Sequence, residues 1–278
     1  MDRHASFAAC AELVRRHDPD RYFTVLFAPR PARAALMALY AFNYEIARIS
    51  ETVHEPMMGE IRLEWWRETI EGARAGNPRT HDVAFALEAV LSDFDLPQGL
   101  FDAMIDARRH DVLPELFDDL AALEAYGAGT VGALMELSAR VLGGRPVPEQ
   151  VRSAGIAYAL TGLLRAIPHH AARGKLYLPQ DLMLRFGLTP EDVFAGHGGE
   201  GLRGVMEQIS VRAQEQLKAA RGLGRPKAAL AAFLPVALVP GYLKRMRQRD
   251  FDPFRDPAEV AQAKKQWVLL SAALRGMF

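Results

Sequence analysis

The amino-acid sequence predicts an all-α fold, and the spacing of its apolar residues is the main reason. Residues at helical spacing include Leu36, Leu39, Tyr40, Phe42 and Ile46, then Val83, Leu87, Val90 and Leu91, and then Val131, Leu134, Met135, Leu137 and Val141. Intervals of three and four positions place side chains on one face of a helix. Stretches that alternate apolar and polar residues, as half-buried strands do, are hard to find. Proline and glycine residues at the expected helix ends agree with this prediction.

The helix boundaries follow from those prolines and glycines in chain order. Pro29 and Pro31 precede the first strongly apolar helix, and the Gly-Asn-Pro stretch at 76–78 follows the next one. A further helix opens with Pro97 in its first turn, where a missing backbone donor costs nothing. Glycines and a proline at 143–146 end another helix. We expect about eight to ten helices.

Length and composition predict one compact domain over residues 1–278. The chain is 50% hydrophobic, which is enough to bury a large core and excludes the disordered and fibrous classes. No linker long enough to separate two domains is visible, and the loosest segment, residues 194–204, is short enough for a loop. No internal repeat of fixed period appears, which disfavours a solenoid.

The charge balance and the single cysteine restrict partners and location. With 34 acidic and 34 basic residues and no long run of one sign, nucleic acid is not expected as a partner. A lone Cys10 fits a reducing, cytoplasmic compartment. Glu12 and Arg15 interrupt the first apolar stretch too early for a spanning helix. Pro235 and Pro240 divide a later one, which favours a core helix pair and leaves peripheral attachment to an inner membrane open.

Four stretches resemble the squalene and phytoene synthase family, all-α enzymes that join two prenyl diphosphates head to head. They are "LYAFNYEIARISETVHEP", "GEIRLEWWRETI", "YAGTVGALM" and "GIAYALTGLLRAIPHHAARGKLYLP", and they occur in the family's order. This resemblance implies a single helical bundle of the isoprenoid (trans-prenyl) synthase type. In that family, aspartates spaced four apart on facing helices bind magnesium, which neutralises the diphosphate leaving group.

The positions that match those aspartates have lost nearly all of their carboxylates. The matching residues are Ala47, Arg48 and Glu51 in the first motif, and Gly162, Ala166 and His170 in the second. Only Glu51 is a hard oxygen ligand, and Arg48 would bring a positive charge to the cation position. We therefore expect no metal, no cofactor and no catalytic residue, because loss of even one supporting group weakens metal binding.

Other positions that line the prenyl diphosphate cavity in the family are kept. They are Tyr40, Arg165, Arg173, Lys175, Tyr177 and the segment 128–132. Together with Arg48 and Glu51, these side chains are candidates for binding a lipid-like or phosphorylated ligand, since Arg and Lys bind phosphate without metal. In the alternative interpretation they hold the bundle together, with Tyr177 as a packed aromatic and Arg165 in a buried ion pair.

The degenerate motifs resemble most the complex I assembly factor 6-like subgroup of the superfamily. That resemblance implies a non-catalytic protein that assists assembly of respiratory NADH dehydrogenase, with complex I subunits or assembly intermediates as partners, or that binds an isoprenoid or lipid. The alternative is an active prenyl transferase in which magnesium is held by Glu51 with Asp102 or Asp106. A third option is a scaffold whose cavity has closed.

Two groups of residues imitate a metal site. His169 and His170 are adjacent, so their side chains point about 100° apart on a helix and cannot easily share an ion, even with His54 as a third ligand. Asp102 and Asp106 have four-residue spacing but precede the 128–132 segment, whereas the family's second motif follows it. A solvated helix face is the simpler prediction for this pair.

Overall fold

The computed structural model describes residues 2–53, 55–113, 115–256 and 258–278, and these form an all-α protein. The predicted fold class is confirmed. Over the described ranges no strand is present, and one parallel bridge joins Phe117 to Pro179. His54, named above as a third histidine ligand, lies outside the described residues.

Helices follow one another along the whole chain. In the first half they are α1 (Arg3–His17), α2 (Pro19–Val25), α3 (Arg30–Ala47), α4 (Ile49–Thr52), α5 (Pro56–Arg74), α6 (Asp82–Asp93), α7 (Gln98–Val112), α8 (Leu120–Gly127) and α9 (Ala133–Val141). In the second half they are α10 (Pro148–Arg165), α11 (Ile167–Ala171), α12 (Gln180–Arg185), α13 (Pro190–Phe194), α14 (Gly199–Gly222), α15 (Leu230–Phe233), α16 (Val239–Met246) and α17 (Gln262–Arg275).

Helices are more numerous than the eight to ten predicted, because prolines cut several of them into short pieces. Pro168 lies in the first turn of α11, which is separated from α10 by the non-helical Ala166. Pro29 precedes α3 as expected, whereas Pro31 lies in the first turn of that helix and Pro97 is the residue just before α7. These helices thus begin next to a proline, where its missing backbone donor costs no helical hydrogen bond.

The core consists of two buried apolar clusters. One is built chiefly by α1, α3, α5, α6, α7 and α9, and the other chiefly by α10, α14, α16 and α17. Helix α10 runs between them, packing along α14 on one side and against residues 128–132 and α9 on another. A cavity beside α10 is consequently bounded by elements from both halves of the chain.

The segment Ala128–Gly132 forms a turn of π-helix between α8 and α9, and glycines bring it close to α10. A Cβ atom on Gly155 would lie 2.5 Å from Cα of Gly132, closer than packed atoms approach. The Ala-Gly-Thr-Val-Gly stretch is thus explained by a backbone contact. Turns of π-helix occur frequently at functional sites, and here the turn carries Thr130 and Val131 into the cavity described below.

One stretch, Lys227–Met246, is long and apolar enough to cross a membrane by length and composition. Of its most apolar window, 67% is buried inside the protein. Pro235 lies in a short 3-10 helix and Pro240 in the first turn of α16, so both prolines interrupt the stretch as predicted. Extensive burial of this kind is typical of core helices, and the membrane indication is weak.

The contact between Gly155 and Gly132 gives a stability prediction. Gly155→Ala should lower the free energy of unfolding by about 1–3 kcal/mol, because an added methyl group meets backbone that must move. The matched control is Gly162→Ala on the same helix, where an added Cβ meets nothing within 4 Å. That control should be neutral or stabilising by up to about 1 kcal/mol, since glycine is a poor helix residue. Urea unfolding measures both; equal effects would contradict the close approach.

Candidate functional site

A cavity of about 230 Å³ lies between α3 and α4 on one side and α7, α10 and the segment after α11 on the other. Seven of the residues singled out from the sequence line it: Ala47, Glu51, Gly162, His170, Arg173, Lys175 and Tyr177. Its wall is apolar along α10, where Ala159 and Leu163 face it, and polar at the end formed by α7 and residues 173–177. The cavity is amphipathic.

Asp111, near the end of α7, is the centre of the polar end. Its carboxylate is 2% exposed and accepts hydrogen bonds from Tyr126 Oη at 2.8 Å and Tyr177 Oη at 2.9 Å. Arg108 Nη1 donates to the same carboxylate at 2.9 Å and to Tyr126 Oη at 2.7 Å. Lys175 Nζ donates to the main-chain oxygen of Asp111 at 2.8 Å. This single residue therefore joins α7 and α8 to the segment after α11.

Burial and charge keep the groups around Asp111 in defined protonation states. Burial, with the nearby negative charge of Asp111, raises the pKa of Tyr177 well above its ordinary value. Burial also raises the pKa of Tyr126, although Arg108 opposes it. Both phenols therefore stay protonated and act as donors. Burial disfavours the charge of Arg108, but Tyr126 and Asp111 outweigh it, and the pKa of Arg108 is raised.

His170 is a neutral cavity residue. Burial and the neighbouring His169 lower its pKa from 6.5 to about 4, because a charged imidazole would be poorly solvated there. The ring lies 4.4 Å from the ring of Tyr177, centroid to centroid. His170 thus covers the phenol that donates to Asp111.

His169 bridges the two sides of the cavity mouth. His169 Nε2 lies 3.1 Å from Glu51 Oε1, and Arg173 Nη1 lies 3.0 Å from His169 Nδ1. Since Arg173 can only donate, His169 Nδ1 accepts and Nε2 donates to Glu51. The sequence offered His169 only as one of two histidines that imitate a metal site; the structure places it in a chain of three polar side chains that connects α4 to α11.

Three predicted ligand residues lie outside the cavity. Arg165 turns to the opposite side of α10, where Nη2 donates to Glu259 at 2.9 Å and the guanidinium lies 3.7 Å from the ring centroid of Tyr242. Arg48 lies 3.5 Å from Glu45, in a separate groove. Tyr40 is 3% exposed in the core, below the guanidinium of Arg21. These contacts fit the alternative interpretation, in which Arg165 holds the bundle together through an ion pair, better than a role in ligand binding.

Comparison with known proteins identifies the family. Residues 14–267 match the model of the family described as squalene/phytoene synthase. The chain belongs to the squalene/phytoene synthase family.

Two relatives within the family carry different names. "NADH dehydrogenase (ubiquinone) complex I, assembly factor 6" of Bos taurus is 30% identical over 249 residues, which cover 88% of this chain and 75% of the relative. "Phytoene synthase 3, chloroplastic" of Zea mays is 28% identical over 292 residues, covering 98% of this chain and 66% of that protein. The chain is thus similar both to assembly factors and to synthases.

Solved structures of the family share the fold. A dehydrosqualene synthase in complex with ligand superposes with a TM-score of 0.83 at 18% identity, over 98% of this chain and 97% of the other. Squalene synthase HpnC from Alicyclobacillus acidocaldarius gives a TM-score of 0.72 at 21% identity, over 99% and 97%. At such identities the likeness establishes the architecture only.

The residues at the family's magnesium positions do not fit magnesium, which prefers several oxygen ligands. Ala47 and Gly162 line the cavity with no donor atom, and Ala166 lies outside it. Glu51 is already paired with His169. Across the described parts of the chain, no group of three or more His, Cys, Asp or Glu residues is placed to hold a metal ion.

Asp102 and Asp106, the acidic pair on α7, form ion pairs outside the cavity. Arg67 of α5 donates to Asp102 Oδ1 and to Asp106 Oδ1, at 2.6 Å each. Neither aspartate lines the cavity beside α10. A magnesium site built from Glu51 with either of them therefore has no support in the geometry.

Sequence reasoning missed Arg108, Asp111 and Tyr126. Arg108 and Asp111 lie in the stretch "ARRHD", which reads as an ordinary charged helix end. A signal was nevertheless present, since charges three apart on a helix can pair. What the pattern could not reveal is that this face of α7 is buried, with the carboxylate turned inward against two tyrosines.

The lowered pKa of His170 predicts a pH-dependent stability. The unfolded chain takes up this proton near pH 6.5, whereas the folded protein resists it until about pH 4. The free energy of unfolding should therefore fall, by up to about 3 kcal/mol, as the pH drops through this window. His170→Phe, which keeps a ring against Tyr177, should remove most of this part of the dependence. His4→Gln on the surface of α1 is the control in urea unfolding; identical slopes in both variants would contradict the assignment.

Proposed function

We propose that this protein is a non-catalytic member of the squalene/phytoene synthase family that assists assembly of respiratory NADH dehydrogenase. Its cavity is retained to hold one amphipathic, anionic ligand. The observation that carries the proposal is that the family's fold is present while the side chains at its magnesium positions are different. Where a synthase of this family places aspartates for magnesium, this cavity presents Ala47 and Gly162, and basic side chains stand at its polar end.

The named relatives support the assembly role. Proteins called complex I assembly factor 6 in Bos taurus and Homo sapiens match 88% of this chain at 30% and 29% identity. An equivalent role here would make subunits or assembly intermediates of respiratory NADH dehydrogenase its partners. Work on that membrane complex would bring a cytoplasmic protein to the inner membrane.

The cavity volume argues against head-to-head joining of two prenyl chains. At about 230 Å³ it falls below the roughly 300–1,000 Å³ of pockets that enclose one drug-sized ligand. Two long prenyl diphosphates need far more room than this. One amphiphile is the occupant that this volume supports, and a neighbouring groove of about 550 Å³, which shares Ser50, Glu51, Arg173 and Lys175 with the cavity, gives room for its remaining part.

An anionic group on that ligand would be held without metal. Arg173 and Lys175 line the polar end, and Arg108 Nε is buried with no hydrogen-bond partner among the described residues. A buried donor without a partner is costly, so an acceptor on a ligand would satisfy it. The apolar wall of Ala159 and Leu163 would contact the hydrocarbon part. The cavity is open and is lined by both polar and apolar side chains. This favours ligand binding over the third option, a scaffold whose cavity has closed.

The alternative, an active prenyl transferase, would require carboxylates that the geometry does not supply. Of the carboxylates that line the cavity, Asp111 is occupied by Arg108 and two tyrosines, and Glu51 by His169. Asp102 and Asp106 are paired with Arg67 outside it. No specific observation favours this second function.

Gene replacement tests the proposed function. Deleting the gene should reduce the amount of assembled NADH dehydrogenase on native gels, and the wild-type gene should restore it. Gly162→Leu adds a side chain to the cavity wall at a position where a Cβ atom meets nothing within 4 Å, and it should fail to restore assembly if the ligand is needed. Gly222→Leu, at an equally open helical position at the end of α14, is the matched control and should restore it.

Two results would count against this proposal. Normal NADH dehydrogenase assembly in the deletion strain, with loss of a hopanoid or carotenoid, would overturn the assembly role. Release of diphosphate from farnesyl diphosphate by the wild-type protein with magnesium, abolished by Gly162→Leu, would overturn the non-catalytic assignment.

A further inference from the structure

Helix α17 presents an apolar face to solvent. Trp267 is 69% exposed, Leu274 is 80% exposed and Leu270 is 42% exposed. At 100° per residue these three side chains fall within about 60° of one another around the helix. The opposite face is buried through Leu269 and Ala272, so the helix is packed on the protein while its outer face is uncovered.

A basic groove of about 630 Å³ lies along the flank of α17, between its exposed apolar face and its buried face. Its rim carries Arg221 and Arg225, from α14 and the residues after it, and Arg275 of α17, above a floor that includes Ala272. Arg275 donates only to Ser271, and Arg221 Nε donates to the main-chain oxygen of Phe278. Among the described residues, no carboxylate side chain lies within ion-pair distance of these three arginines.

The exposed charges of α17 have one sign. Lys264 and Arg275 are exposed, and among the described residues no carboxylate side chain lies within ion-pair distance of either, whereas Lys265 is buried and paired with Asp20 and Glu259. Burial, and to a smaller extent the nearby positive charge of Arg275, lower the pKa of Arg221. Such an arrangement is unfavourable in the isolated protein and becomes favourable against a negatively charged surface.

We propose that α17 docks this protein onto an anionic lipid bilayer. Trp267, Leu270 and Leu274 would enter the interface between headgroups and acyl chains, where tryptophan is favoured. The arginines of the groove would bind lipid phosphates, each attracted to the anionic surface by about 1 kcal/mol. This surface lies apart from the cavity beside α10, and the inference does not depend on the assembly role.

A second copy of the chain is a poorer occupant. A two-fold contact through α17 would bring the same unpaired arginines of both copies together, and like charges oppose such a contact. A bilayer supplies an apolar layer, which matches the exposed apolar face of α17, and phosphate groups, which match the arginines of the groove. The surface chemistry therefore favours the lipid.

Vesicle co-sedimentation tests this proposal. The protein should sediment with vesicles of equal parts phosphatidylcholine and phosphatidylglycerol, and much less with phosphatidylcholine alone. Trp267→Ser combined with Leu274→Ser should weaken binding by at least about tenfold, since buried apolar area drives insertion. Arg225→Glu should reduce binding to the anionic vesicles selectively. Leu184→Ser, on α12 and 75% exposed, is the matched control and should bind like the wild type.

Three results would contradict the proposed docking on a bilayer. Equal sedimentation with neutral and anionic vesicles would overturn the role of the arginines. Unchanged binding by the Trp267 and Leu274 double variant would overturn the role of α17. A wild-type dimer that this variant dissociates, with no vesicle binding, would replace the bilayer with a second copy. Thermal unfolding midpoints should match the wild type, because the altered side chains are exposed.

Discussion

The buried carboxylate of Asp111 is the interaction on which the cavity depends. Donors from three separate parts of the chain converge on it: Arg108 of α7, Tyr126 of α8 and Tyr177 of the segment after α11. Removing one partner of such a buried charge pair typically costs about 3–5 kcal/mol, because the other charge is left unpaired. The network therefore specifies one arrangement of the cavity wall.

The bundle is maintained by packing around α10. This helix packs against α14 and against the π-helical segment, and the architecture is present although Ala47 and Gly162 carry no carboxylate. On the far side of α10, Arg165 joins Tyr242 and Glu259 and ties the C-terminal helices to the bundle. Helix α10 thus lines the cavity with one face and stabilises the bundle with the other.

The helices were predictable because apolar spacing and prolines act locally, whereas the site depended on burial. Gly162 and His170 were expected on one helical face with Ala166, but α10 ends at Arg165 and Ala166 is not helical. Residues four apart therefore no longer share a helical face beyond Arg165. His170 lines the cavity because it lies in the separate helix α11. Arg165, the last residue of α10, lies on the other side of that helix, in the ion-pair role that the sequence left open as the alternative. Asp111 was missed because no local pattern shows that a charged helix end is buried.

We propose that the cavity beside α10 binds an anion without metal. The most direct test measures the affinity of farnesyl diphosphate by calorimetry, once with EDTA and once with magnesium chloride. We predict the same affinity in both, weakened by Lys175→Ala and abolished by Gly162→Leu, because basic side chains and not a metal hold the anion. Binding that appears only with magnesium, and is lost in Glu51→Gln, would contradict the account.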